Sequence, residues 1–208
     1  MRKIILTLIL LCFSISYSQK SNDFVESGRL KYFQKKYAEA LIDFDSAIEL
    51  DPKNAEAYFE KGLLYDASPE LIQSFMRDFD YVMSNFNMAI QLNPNYDLAY
   101  FYRGLRKDKL VDYRGAILDY NKAIEIKQND DDYYSYRGIS KSKLKDYDGA
   151  LKDYNMAIEI NPKHAFPYGL RGILKYNLGL KEEACLDFSK AGELGDKLSY
   201  DYIKQYCN

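Results

Sequence analysis

The chain has 208 residues, with 29 Lys plus Arg against 31 Asp plus Glu, one His, three Cys, no Trp and 47% apolar residues. A formal net charge of −2 excludes the basic excess expected of a nucleic-acid-binding chain. The apolar fraction excludes a disordered or collagen-like chain, and one His with no CxxC pair leaves little material for a zinc or His-based catalytic centre.

The first element in chain order reads as a secretory signal. Arg2 and Lys3 form the charged end, Ile4 to Ile15 an apolar run, and Ser16-Tyr17-Ser18 presents small residues at the cleavage-defining positions, which places cleavage after Ser18. A membrane span needs about 20 apolar residues and this run stops short, so residues 1–18 are expected to be removed. No membrane span is expected in the mature chain, which is expected to be periplasmic or extracellular. Removal takes Arg2, Lys3 and Cys12 with it. Cys185 and Cys207 then remain in an oxidising compartment, where a disulfide between them can persist and would staple the last helix to the final repeat.

Beyond the signal the sequence repeats. Gly28, Gly62, Gly104, Gly138 and Gly172 are spaced by 34, 42, 34 and 34 residues, a 34-residue period with one eight-residue insertion. Around these glycines stand AYFEKGLLY (57–65), AYFYRGLRK (99–107), DYYSYRGISK (132–141) and FPYGLRGILK (166–175). A second block follows, as in YAEALIDFDSAIELDP (37–52), YRGAILDYNKAIEIKQ (113–128) and YDGALKDYNMAIEINP (147–162). Apolar and small residues recur at helical spacing in both blocks, for example Tyr113, Ala116, Ile117, Tyr120, Ala123 and Ile124. Each repeat is therefore a helix hairpin. Small residues mark the close approach of its two helices, and Tyr58, Tyr100, Tyr134 and Tyr168 with Phe44, Phe86, Tyr120, Tyr154 and Phe188 fill the space between hairpins. Pro52, Pro94 and Pro162 end the second helices.

These residues resemble the tetratricopeptide repeat, over residues 21 to about 198, in five repeats at 21–54, 55–96, 97–130, 131–164 and 165–198, with a capping helix at about 198–207. The resemblance implies an all-α, right-handed superhelical solenoid with a concave groove that binds peptides or proteins, without enzymatic activity or cofactor. In some members of the family, a Lys and Asn clamp on the first helices holds a chaperone's C-terminal carboxylate. The residues after the repeat glycines here are Arg29, Leu63, Leu105, Ile139 and Ile173, with no Asn, so that clamp is not expected. Phe59, Leu63, Phe101, Tyr102, Leu105, Tyr136 and Ile139 are instead expected to make an apolar, aromatic groove suited to a hydrophobic or amphipathic segment.

Three features stand beyond the repeat pattern. Arg103, Arg137 and Arg171 precede repeat glycines where the family usually has an apolar residue, while Asp43, Asp119, Asp153 and Asp187 recur on the second helices. Arg–carboxylate pairs between neighbouring repeats are expected, as structural bonds. The insertion begins Ser68-Pro69-Glu70 with no later Pro or Gly before Gln91, which predicts a second helix lengthened by about two turns. Its outer strip, Ile72, Met76 and Met83, reads either as local packing or as a contact ridge for a partner. His164 reads as a solvated turn residue. Asp130-Asp131-Asp132 lacks the alternation and terminal Glu of a calcium loop and reads as a helix N-terminus, so no metal is expected. The function implied is a non-enzymatic protein-binding scaffold, with a small-ligand receptor, an enzyme accessory subunit or a self-assembling solenoid as alternatives.

Overall fold

Helix caps and tight turns set the boundaries of every hairpin. In the computed structural model, which describes residues 2–68, 71 and 80–207 and the side chains from residue 17 onward, eleven α-helices follow one another and no strand occurs among the described residues. They are α1 (Arg2–Phe33), α2 (Tyr37–Leu50), α3 (Ala55–Ala67), α4 (Tyr81–Leu92), α5 (Asp97–Lys109), α6 (Tyr113–Ile126), α7 (Asp131–Lys143), α8 (Tyr147–Ile160), α9 (Ala165–Asn177), α10 (Lys181–Glu193) and α11 (Lys197–Tyr206). The chain divides into two compact units, residues 1–102 and 103–208, with the boundary inside α5. No described helix is long and apolar enough to cross a membrane.

Side-chain caps start several helices. Asn54 accepts from the Glu56 and Ala57 amides, Asp112 from Gly115, and Asp146 from Gly149, each satisfying amides that the first turn leaves without a partner. Three-residue turns join α1 to α2, α5 to α6, α7 to α8 and α9 to α10, and all four close in the same way. In the turn after α7 the Lys145 amide donates to Ser142 and the Asp146 amide to Lys141, the paired bonds of a left-handed helix stop. The left-handed residue is Lys35, Val111, Lys145 or Gly179, with φ of 60°, 64°, 65° and 83°.

In the first unit α1 pairs with α2 and α3 with α4. A side-chain methyl built on Gly28 would lie 2.5 Å from the Phe44 ring, and one on Gly62 would lie 2.7 Å from Phe86. The core comprises Val25, Ala47 and Ala57, then Ala40, Phe44 and Leu64, then Phe59, Val82, Phe86, Ala89 and Ala99. Ser21, fully buried, is bonded to the Ala47 carbonyl and to Asn54.

In the second unit the same contact recurs between Gly104 and Tyr120, Gly138 and Tyr154, and Gly172 and Phe188. The phenylalanines and tyrosines of the second helices therefore lie inside hairpins, each ring on the glycine of its own hairpin, rather than between hairpins as the sequence reading had it. The helices can approach closely only where a ring meets a bare backbone, and that contact is intrinsic to the pair. The tyrosines ahead of the glycines are different: Tyr134 and Tyr168 carry the guanidinium groups of Arg137 and Arg171 over their rings. At the end of the unit, Tyr202 of α11 stacks on Phe188 of α10 with centroids 5.0 Å apart, and Tyr206 meets Tyr176 at 4.3 Å.

The second helix of the second repeat is not lengthened. Asp80 takes a non-helical ψ of 88° and its carboxylate accepts from the Met83 amide, so α4 starts at Tyr81 and has 12 residues where α2, α6 and α8 have 14. The rest of the inserted segment, residues 69–70 and 72–79, lies outside the described residues. A carboxylate that caps the amides beyond it defines a helix start.

Candidate functional site

The recurrent Arg and Asp residues form three ion-pair triads inside hairpins. Arg103 Nε and Nη2 donate to Asp119 at 2.9 and 2.6 Å, and Lys107, one turn further along α5, reaches the same carboxylate at 2.8 Å. Arg137 and Lys141 hold Asp153 in the same way, and Arg171 and Lys175 hold Asp187. These aspartates are 3–4% exposed. The pairing runs within a hairpin, correcting the expectation of pairing between neighbours. The link to the neighbour is made by the remaining nitrogen: Arg137 Nη1 donates to Asn121 at 2.8 Å, and Arg171 Nη1 to Asn155 at 2.5 Å. A planar guanidinium has the donors for both tasks at once. In the first hairpin Lys31 alone meets Asp43, at 2.6 Å. In the second, buried Asn85 replaces the aspartate and donates to the Tyr81 carbonyl, while Lys61 pairs with Asp45 of α2.

The expected groove residues separate by burial. Phe59, 3% exposed, belongs to the core with Phe86, and Phe101 is 7% exposed, so neither is a groove residue. Leu63 and Tyr102 are half-buried against the same core. Arg29, which follows the first repeat glycine, is engaged by Glu26, Glu56 and Glu60. Burial pushes the Glu60 carboxyl up, with Arg29 opposing. Leu105, Tyr136 and Ile139 are half-buried in the second unit.

Ile139 lines a hollow of about 510 Å³ whose floor is Tyr154 and Leu174 and whose walls include Tyr147, Leu170, Ile173 and Leu178. A second hollow, of about 450 Å³, lies between α9 and α11 and is lined by Phe166, Leu170, Ile173, Leu194, Leu198 and Tyr202. Leu170 and Ile173 belong to both, which makes one apolar strip along α9. Tyr136 touches Phe166 at its edge, with ring centroids 5.7 Å apart. The sequence reading did not place Leu170 and Ile173 in the groove. Ile173 is the period equivalent of Leu63, Leu105 and Ile139, and Leu170 of Tyr102 and Tyr136, so the 34-residue spacing carried the signal.

Ile72 and Met76 of the expected contact ridge lie outside the described residues. Met83 is half-buried and borders a hollow of about 400 Å³ along α4 with Asp80, Met88 and Gln91. Cys185 of α10 is bonded to Cys207, with Cα atoms 5.7 Å apart. His164 is not simply solvated: its Nδ1 meets Asp131, the first residue of α7, and Asp132 lies within 3.9 Å. Burial and the neighbouring Asp131 push the Asp132 carboxyl up. His164, Asp131 and Asp132 place three potential ligand atoms within 4.8 Å of one another, and the His–Asp bond accounts for two of them without an ion.

One buried polar cluster had no counterpart in the sequence reading. Asp108 accepts from the Tyr120 hydroxyl at 2.7 Å and from Ser140 at 2.8 Å. Burial pushes the Asp108 carboxyl up, opposed by these two bonds. Ser140 stands at the period position that holds Leu64 and Leu174, so a polar group replaces a core leucine and brings its partner with it.

Repeated hairpins, each closed by a ring on a glycine and numbered by a 34-residue period, define a helical-repeat protein. A family model described as "Tetratricopeptide repeat" matches residues 132–164, and one described as "TPR repeat" matches residues 28–67. Among solved structures the chain is similar to the MamA protein at 21% identity, covering 86% of this chain and 93% of that one with a TM-score of 0.69. It is similar to YrrB, described as "a TPR protein with an unusual peptide-binding site", at 21% identity, coverage of 88% and 90% and a TM-score of 0.68. It is also similar to pilF of Pseudomonas aeruginosa at 12% identity, coverage of 88% and 79% and a TM-score of 0.77. At these identities the likeness is one of fold. No curated protein matches the sequence. Residues 28–67 and 132–164 thus carry tetratricopeptide repeats.

Proposed function

We propose that this protein is an exported, non-enzymatic scaffold that binds a peptide or protein segment on the apolar strip of its second unit. The observation that carries the reading is the pair of hollows, about 510 and 450 Å³, sharing Leu170 and Ile173 on one helix. An apolar surface of this kind marks an interaction site in a soluble chain. The repeat fold supports the reading in general, because its members serve as protein–protein interaction scaffolds, and YrrB carries a peptide-binding site on a similar fold. The Arg–Asp–Lys triads are engaged in holding hairpins, which fits a scaffold rather than a catalyst. Export rests on the charged, apolar and small-residue segments of residues 1–18, and the bond between Cys185 and Cys207 suits an oxidising compartment.

Two measurements test this. Pull-down from the native cell envelope and medium, with the natural chain and with Ile173→Asp as baits, should yield a partner that the variant captures at least about tenfold less, since a buried carboxylate costs about 1.4 kcal/mol or more. Equal capture by a folded variant refutes the strip. N-terminal sequencing of the protein from its native host should begin at Gln19, and a chain that retains residues 1–18 refutes export by this signal.

A further inference from the structure

The larger hollow has a rim of one charge. Lys143 ends α7, Lys145 occupies the left-handed position of the turn that follows, and both line the 510 Å³ hollow beside Ser142 and Asn177. Their situation differs from that of the lysines that complete the ion triads. Lys107, Lys141 and Lys175 each reach a buried aspartate, whereas Lys143 and Lys145 are exposed and have no carboxylate partner among the described residues. The nearest acid in sequence, Asp146, uses its carboxylate to accept from the Gly149 amide. No other hairpin closed by a three-residue turn has lysine at both period positions: the pairs are Phe33 and Lys35, Lys109 and Val111, and Asn177 and Gly179. In a chain of net charge −2 this positive rim is a local feature over an apolar floor.

Resting on the scaffold reading above, we infer that this hollow receives a large apolar side chain of a partner segment whose adjacent residue is Asp or Glu, with that carboxylate facing Lys143 and Lys145. The floor selects apolar area, since Tyr154 and Leu174 offer no charge to pair with. The rim selects sign, because two unpaired ammonium groups attract a carboxylate and repel a cation.

The fifth hairpin supplies the control. Asn177 and Gly179 stand at the positions of Lys143 and Lys145, and Gly179 has the same left-handed φ, so Lys143→Asn with Lys145→Gly copies a turn this protein already folds. The purified chain, its double variant and Ile173→Asp are to be assayed on an array of synthetic 12-residue peptides. Their central Leu, Phe or Ala is flanked by Asp, Gln or Lys, and hits are measured by fluorescence anisotropy. Peptides with Leu or Phe flanked by Asp should bind the natural chain about fivefold more tightly than their Gln counterparts, as expected for two solvent-exposed ion pairs. That preference should shrink in 0.5 M salt, where screening is stronger, and vanish in the double variant while its thermal unfolding stays at or above that of the natural chain. Equal binding of Asp, Gln and Lys peptides, or an Asp preference that survives the double variant, overturns the inference. If all three classes bind alike and Ile173→Asp stops them, the apolar strip stands and only the acidic requirement falls. If no peptide binds the folded chain, both fall.

Discussion

The second and fourth hairpins solve one packing problem with different parts. Both set a glycine against a ring, Gly62 on Phe86 and Gly138 on Tyr154, at 2.7 and 2.6 Å from where a methyl would be. Around that contact nearly everything differs. The fourth hairpin has a three-residue turn and an aspartate clamped by Arg137 and Lys141. The second has a helix α4 that starts at Tyr81 behind the Asp80 cap, and a neutral Asn85 bonded to its own helix. The ring on the glycine is thus the requirement of the pair, and the ion triad and short turn are additions to it.

Valine at either glycine should break both hairpins equally, at a cost of about 3 kcal/mol or more in urea unfolding, since a branched side chain must displace a buried ring. If Gly62→Val is tolerated and Gly138→Val is not, the contact is not the common requirement. Removing the triad's centre should separate the two hairpins. Asp153→Ala leaves Arg137 and Lys141 facing one another in a partly buried site and should cost about 2–3 kcal/mol, whereas Asn85→Ala loses one hydrogen bond and should cost about 1 kcal/mol. Equal losses would show that the triad adds no more than an amide does.

The ring hydroxyl offers a finer test, because Phe86 has none and Tyr120 donates to Asp108. Burial raises the Asp108 carboxyl in the folded chain. Its contribution to stability is therefore complete below the ordinary carboxylate range and is lost as pH rises through the raised value. The Tyr120 bond favours the ionised form and limits that loss, so Tyr120→Phe should cost about 1–2 kcal/mol at pH 7 and less in acid. A cost independent of pH would remove Asp108 from the explanation. The smallest effect is a gain. Val111 holds φ of 64° in an exposed turn where the fifth hairpin has Gly179, and Val111→Gly should stabilise by about 1 kcal/mol through relief of backbone strain. An unchanged midpoint would mean that the turn is unstrained.

The hairpins were legible because the glycine, the ring and the proline stops each recur at one spacing, and packing of the pair depends on little else. The partner of each arginine was not. An Asp that recurs every 34 residues lies 16 after one Arg and 18 before the next, so periodicity alone does not choose between Arg137–Asp153 and Arg137–Asp119, and only the hairpin geometry does. The start of α4 at Tyr81 lay in Asp80, whose capping role matches that of Asp112 and Asp146 on the third and fourth second helices. For the candidate site, Ile139 was legible by position. Phe59 and Phe101 were not, because the same period position holds Val25, Ser135 and Gly169, and burial there depends on side-chain volume.

The guanidinium that holds its own aspartate and also reaches the preceding asparagine has a consequence for how such a chain can change its length. Asn121 and Asn155 are one period apart, as are Arg137 and Arg171. Excising one 34-residue module would present Arg171 to Asn121 at an unchanged spacing, and duplicating one would create the same bond anew. The joint between modules is therefore interchangeable, so gain or loss of a whole repeat is a smaller disturbance to this part of the chain than the loss of a single arginine.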